Sequence, residues 1–323
     1  MRAIALLALT FAAVLAIGLA VAVGSADAGI ADLLLRLRDG DDPTARTIVL
    51  ELRLPRALAA FATGAALALA GVFMQVLLRN PLADPYVLGV SGGAAAAALA
   101  AMLAGAAGLA VDAAAAAGAL AAMLTVFALA HGRGGWTPAR LLLTGIVVAA
   151  GCNAAVSLML ALAEEAPVRG MLFWLMGDFG YGGSPVPMLA VAGAGLAAGL
   201  LLARPLDVLA RGELQAALLG LPVRTTRVAL YLVASLLTAA AVTTAGSIGF
   251  VGLITPHLVR LALGSSHRVV VPASALAGGT LLVLADVAAR TAAAPRQLPV
   301  GALTAMIGVP AFLLLMRRQR SVA

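Results

Sequence analysis

The sequence has no lysine, one cysteine, three histidines and few aromatic residues, 4% of its 323 positions. Charged residues make up 11%, against about 25% in an ordinary soluble domain. Each shortage excludes something. The single cysteine, Cys152, lies in a hydrophobic run and excludes an internal disulfide. His131, His257 and His267 have no ligand spacing, so no metal site is expected. There is no Ser/His/Asp grouping, no HExxH and no P-loop, so no catalytic constellation is expected either.

What is there is apolar. Hydrophobic residues reach 63%, mean hydropathy is +1.07, and the apolar residues come in long runs. A membrane-spanning helix needs about 20 consecutive, mostly apolar residues. The pattern predicts an all-α, polytopic membrane protein with one domain over 1–323, since no hydrophilic stretch is long enough for a second. Ten spans are expected, at 3–23, 57–78, 87–104, 113–131, 141–163, 186–203, 228–246, 248–263, 269–289 and 298–316. An even count puts both termini on one side. Placing them inside leaves 13 arginines inside and 8 outside, with only Asp84, Asp207 and Glu213 of the 14 acids inside. That distribution obeys the positive-inside rule, so both termini are expected to be cytoplasmic. The net charge of +7 therefore reads as topology, with no nucleic-acid partner. A cleavable signal peptide ending at Ala26-Asp27-Ala28 is the rival for the first span, but the 21-residue run exceeds the usual ~7–15-residue apolar region.

Acids are scarce within the spans, with Asp178 and Asp286 placed near the outer edges. Carriers coupled to protons or cations commonly keep ionisable groups inside the membrane. A transporter without them takes its energy elsewhere or is a passive channel; a secondary transporter or channel working alone is the competing class. The spans are rich in Ala and Gly, as in "FATGAALALAG" (61–71) and "ASALAGG" (273–279), which suits close helix packing. Ala70-Gly71 and Ala245-Gly246 each precede a proline at matched spacing, a weak hint of an inverted repeat.

Six stretches carry more information. "QVLLRNPLADPYVLGVSGGA" (75–94) puts Arg79, Asn80, Pro81, Asp84 and Pro85 between two apolar runs, a stiff turn that leaves Asn80 unexplained. The loop 204–227 predicts a short amphipathic helix starting near Pro205 and Asp207 and stopping at Gly220 and Pro222, with Leu209, Leu214, Leu218 and Leu219 as apolar positions. It lies on the bilayer or docks a protein. Arg53 and Arg56 flank Pro55 at a helix start, where cations oppose the macrodipole, so they meet external carboxylates or anchor at the interface. "APVRGMLFWLMGDFGYGGSP" (166–185) predicts a short external or re-entrant helix, with Trp174 and Tyr181 at an interface belt and Asp178 in a structural or cargo-contacting role. Gly246, Gly249 and Gly252 predict a broken helix or a close backbone approach, with His257 and Arg260 as a polar pair near the cytoplasmic end. Asp286 and Arg290, spaced i,i+4, can pair on an exposed helix.

Residues 52–94, "LRLPRALAAFATGAALALAGVFMQVLLRNPLADPYVLGVSGGA", resemble the signature of FecCD-type permeases, the membrane subunits of type II ABC importers for iron–siderophore complexes, haem and vitamin B12. Gly212-Glu213, Ala216, Leu219 and Gly220 fit that family's coupling pattern, and "GSIGFVGLITPHLVRL" (246–261) and the C-terminal spans agree. "GDFGYGG" (177–183) departs from the usual sequel. The resemblance implies ten helices per subunit and a homodimer in the bacterial inner membrane. Two ATPase subunits would sit on the cytoplasmic side and a substrate-binding protein outside. It implies no cofactor on this chain, ATP and Mg belonging to the ATPase. Arg53, Arg56 and Arg290 would dock the binding protein, and Asn80, Pro81 and Thr137 would form the cytoplasmic gate. Arg211, Gly212, Glu213, Ala216, Leu219 and Gly220 would couple to the ATPase.

Overall fold

The computed structural model describes residues 2–23, 46–131, 137–180 and 183–320. Tyr181, and with it that half of the expected aromatic belt, lies outside the described residues. Among the described residues the structure is helical, with no strand. In chain order the helices are α1 (Arg2–Ala22), α2 (Leu54–Leu77), α3 (Val90–Leu103), α4 (Leu109–Ala130), α5 (Pro138–Leu162), α6 (Glu165–Met176) and α7 (Val186–Leu201), followed by α8 (Ala203–Leu209), α9 (Glu213–Leu218), α10 (Val223–Ala245), α11 (Val251–Leu263), α12 (His267–Thr291) and α13 (Val300–Arg320).

A π-helical segment, Thr47–Arg53, runs directly into α2. The helix therefore starts eight residues before Pro55 and ten before the expected span start at 57. Proline lacks an N–H and its ring crowds the carbonyl four residues back. The wider π turn, in which the Leu54 N–H reaches Val49 O, carries the chain past that obstacle.

α2 is the axis of the fold. It is apolar all round and buried almost end to end, packed by α12, α10, α7 and α11. A helix with no polar face belongs inside. α1 packs on α12, α3 to α5 form a second group, and α10 joins the two. Tyr231 on α10, fully buried, donates its hydroxyl to Met123 O of α4 at 2.6 Å. Small residues set the spacing. A Cβ on Gly278 would lie 2.6 Å from Gly64 O and 2.5 Å from Ala68 Cβ, so α2 and α12 touch backbone to backbone. Gly93 and Gly118 do the same for α3 and α4.

Each expected span coincides with a helix. Six are long and apolar enough to cross a membrane, α7 and α8 form a pair bent by 62°, and α3, α11 and residues 300–313 of α13 are shorter apolar helices. The 14 residues of α3 rise only about 21 Å, less than a ~30 Å hydrocarbon core. Non-helical backbone adjoins these short helices, and its polar groups find partners within the protein. Before α3, Asp84 accepts the Tyr86 N–H at 2.8 Å and caps a 3-10 turn, Pro85–Leu88. Tyr86 in turn accepts the Ile248 N–H at 3.0 Å, in the break between α10 and α11. That break, expected from the glycines, is real: Gly246 has φ +68° and Phe250 φ +70°, and α11 begins at Val251, three residues after the expected 248. The two glycines of the suspected internal echo act differently. Gly246 ends α10, whereas Gly71 lies mid-helix against the Gly252 carbonyl.

Candidate functional site

The expected docking arginines converge at one end of the bundle, and all three are engaged within the chain. Arg53 Nη1 donates to Val21 O and Ala22 O, both at 3.1 Å. Arg290 donates to Val23 O at 3.1 Å and Ala20 O at 3.2 Å. Together they cap the last carbonyls of α1, which have no partner within the helix and carry its negative dipole end. The conflict read in the sequence, cations at the start of α2, is thus resolved by another helix. Arg56 grips Asp286 with Nε–Oδ1 at 3.0 Å and Nη2–Oδ1 at 2.8 Å, and also reaches Asp178 Oδ1 at 3.2 Å. Arg290 Nε donates to Asp286 Oδ2 at 3.1 Å. The expected exposed pair of Asp286 and Arg290 is in fact buried, with Asp286 0% and Arg290 6% exposed, because α1 and α2 close over it. Asp178 is structural: its carboxylate holds Arg56 and its N–H bonds Ala245 O at 3.0 Å. The short helix α6 forms as expected, but Trp174 points inward at 6% exposed and does not join an interface belt.

At the opposite end, the single helix expected in 204–227 is two, α8 and α9, separated by a turn through Arg211 and Gly212 (φ +124°). The apolar positions divide accordingly. Leu206 and Leu209 are buried, whereas Leu214, Leu218 and Leu219 are 76%, 80% and 68% exposed. Ala216 is fully buried and presses α9 onto the body, and Gly220 (φ +77°) ends it. Glu213 pairs with Arg227 of α10 at 3.1 Å and with Arg79, after α2, at 3.8 Å. A shift of α9 is thereby linked to the C-terminal end of α2 and the N-terminal part of α10.

The expected gate residues are not joined to one another by any hydrogen bond among the described residues. Asn80, which sequence left unexplained, is exposed and accepts the Leu82 N–H on Oδ1 at 2.9 Å, a local turn lock. Arg79 has φ +49°, and Pro81 lines a cavity described below. Thr137 caps α5 by accepting the Arg140 N–H at 3.2 Å. Arg260 bonds Gln75 Oε1, while Gln75 Nε2 donates to Leu253 O at 3.0 Å. Gln75 escaped the sequence reading although a carboxamide inside an apolar run signals a buried polar contact. Tyr86 and the Asp207–His267 contact (Oδ1–Nδ1, 2.7 Å) also escaped it, since their partners are 60 to 162 residues away. No group of three potential metal ligands occurs among the described residues.

Similarity to known proteins runs the length of this frame. The model of the FecCD transport family matches residues 10–318. The chain is 39% identical over 314 residues to the hemin transport system permease protein HmuU of Yersinia pestis, covering 93% of this chain and 92% of the relative. It is 42% identical over 288 residues to the cobalamin import system permease protein BtuC of Halobacterium salinarum, covering 87% and 76%. Among solved structures, a chain described as a metal-chelate type ABC transporter in an inward-facing conformation superposes with a TM-score of 0.83 at 29% identity, covering 98% and 99%. With the family model matched over residues 10–318 and relatives at 39% and 42% identity covering most of the chain, this protein belongs to the FecCD transport family.

Proposed function

We propose that the chain is the permease subunit of an ATP-binding-cassette importer for a metal chelate, crossing the bacterial inner membrane ten times with both termini in the cytoplasm. The observation that carries this reading is α9. Its leucines are exposed at an end where the charge count places cytoplasm, and its base is ion-paired to α2 and α10. An apolar face held in place by salt bridges needs a protein to cover it, and the ATPase is that protein. The permease itself performs no chemistry, and ATP and Mg act on the ATPase. Closure of the ATPase dimer moves α9, Glu213 transmits the movement to Arg79 and Arg227, and the bundle rocks between outward and inward access.

A homodimer around a central path is supported by α5, of whose most apolar 18-residue window 11% is buried within the chain. Its uncovered face carries Gly151, Asn153 and Ala154. A carboxamide on an uncovered span is expensive against lipid, so Asn153 faces a second copy or the path. A binding protein docks at the other end. Arg56, 15% exposed, is the one of the three expected arginines with side-chain surface left for its carboxylates.

The cargo is an iron chelate by this reading. Cobalamin is the second reading, favoured by the BtuC relative. A carrier working without an ATPase is disfavoured because Asp286 and Asp178 are held by arginines. The test is reconstitution with the ATPase and binding protein. Uptake should require ATP and be lost when Arg211–Gly220 is scrambled; uptake that survives scrambling, or runs without the ATPase, refutes the assignment.

A further inference from the structure

A cavity of about 640 Å³ opens among the start of α1, the end of α2, the α8–α9 turn and the α11–α12 turn. Four arginines line it, Arg2, Arg79, Arg211 and Arg260, against one carboxylate, Asp207. That carboxylate is already used: Oδ1 accepts the His267 backbone N–H at 2.9 Å and meets its Nδ1 at 2.7 Å. Arg79 has Glu213 at 3.8 Å. Among the described residues, Arg2, Arg211 and Arg260 meet no carboxylate. Arg260 is fixed instead by Gln75, which is 4% exposed. The N-terminus of the 25-residue α12 opens on the same space through Ser265 and Ser266, adding the positive end of its dipole. His267 Nε2 is buried beside it with no partner. Cations gathered in a concavity reinforce one another's field and select an anion.

The surroundings identify the anion. α1 leaves the cavity from Arg2 and carries Ile4, Leu7 and Phe11, exposed at 70%, 69% and 65%. α11 carries Leu258 and Leu261, exposed at 44% and 59%, on either side of Arg260. Apolar surface thus adjoins the cationic cavity at the end that the charge count assigns to the cytoplasm. An acidic protein segment would match the cavity and leave these faces uncovered. A lipid matches both, since basic pockets between helices on the cytoplasmic side take phosphate headgroups. We propose that the cavity binds the phosphate of an anionic phospholipid, whose acyl chains lie along α1 and α11. The inference rests on the cytoplasmic placement of this end and is independent of the cargo.

The test is native mass spectrometry of the full-length chain in its purified assembly, with phosphatidylglycerol, phosphatidylcholine and inorganic phosphate as probes. Wild type should retain phosphatidylglycerol over phosphatidylcholine. Arg2→Gln/Arg211→Gln should weaken that retention roughly 25-fold, at about fivefold per near-surface arginine, with an unchanged thermal midpoint in phosphatidylcholine. Arg2→Gln alone, at an exposed site, should give about a fivefold loss and guards against misfolding of the double variant. Equal retention by wild type and both variants overturns the proposal. Displacement of the lipid by millimolar inorganic phosphate, with no preference between the two lipids, identifies a free-phosphate site and also overturns it. Loss of the ATPase subunits from Arg2→Gln alone, with lipid retention intact, makes the cavity a protein contact, which overturns it too. Uptake is not part of the readout, so failure of the importer reading would leave this result standing.

Discussion

Asp286 offers the sharpest test of how the ends of α1, α2 and α12 are held together. Its carboxylate is 0% exposed and accepts from Arg56 on both oxygens and from Arg290 on one. Asp286→Ala leaves two guanidiniums buried or half-buried with Asp178 as the one remaining carboxylate, 3.2 Å from Arg56. Removing one partner of a buried ion pair costs about 3–5 kcal/mol. At roughly 2–3 °C per kcal/mol for a chain of this size, the thermal midpoint in detergent should fall by roughly 6–15 °C. Replacing the whole group, as in Arg56→Met/Asp286→Leu, should recover part of that loss, because a buried ion pair is often no more stabilising than apolar packing of similar volume. A midpoint for Asp286→Ala within about 2 °C of wild type refutes the claim that this network fastens α2 to α12. The result also governs the docking question. Arg53→Glu/Arg56→Glu would bring carboxylates toward the α1 carbonyls and Asp286, so binding-protein affinity in that variant is interpretable only below its lowered midpoint.

Three further outcomes are expected. Gly64→Ala places a methyl 2.7 Å from Leu282 Cβ and against the Gly278 carbonyl, so it should cost about 2 kcal/mol or more; Gly18→Ala, with open space around it, should not destabilise, and equal midpoints for the two variants would contradict the backbone contact. Burial pushes the Asp84 carboxyl up to about 6 from its ordinary 3.8, against the Tyr86 N–H that favours the anion. The folded chain therefore keeps a proton that the unfolded chain has lost, and stability should decline as pH rises from about 4 to about 6. Asp84→Asn keeps the cap acceptor and should flatten that decline, as followed by thermal midpoints across pH 4–8. Finally, a cysteine at 153 in a Cys152→Ala background should form an oxidant-dependent dimer on non-reducing gels, and a monomer under the same conditions removes α5 from the interface.

The positions of the helices were legible because lipid enforces long apolar runs, and each expected span meets a helix. The places of the apolar helices, the break at Gly246 and the short helix after α5 all came from local rules of run length and glycine placement. The division of 204–227 into α8 and α9 did not. Leu209 and Leu214 are both apolar in the sequence, and only the packing of Ala216 and the turn at Gly212 sends one inward and the other out. Asn80, which the stiff turn left unexplained in the sequence, locks that turn by accepting the Leu82 N–H.

The sequence by itself determined the apolar architecture and the family, because these depend on composition, runs and contiguous motifs. The tertiary structure decided the work of the charges. Arg53, Arg56, Asp178, Asp286 and Arg290 span more than 230 residues of chain and meet at one end. Arg2, Arg79, Arg211 and Arg260 meet at the other. A buried charge is defined by its partner, and partners supplied by distant helices cannot be read from neighbours along the chain.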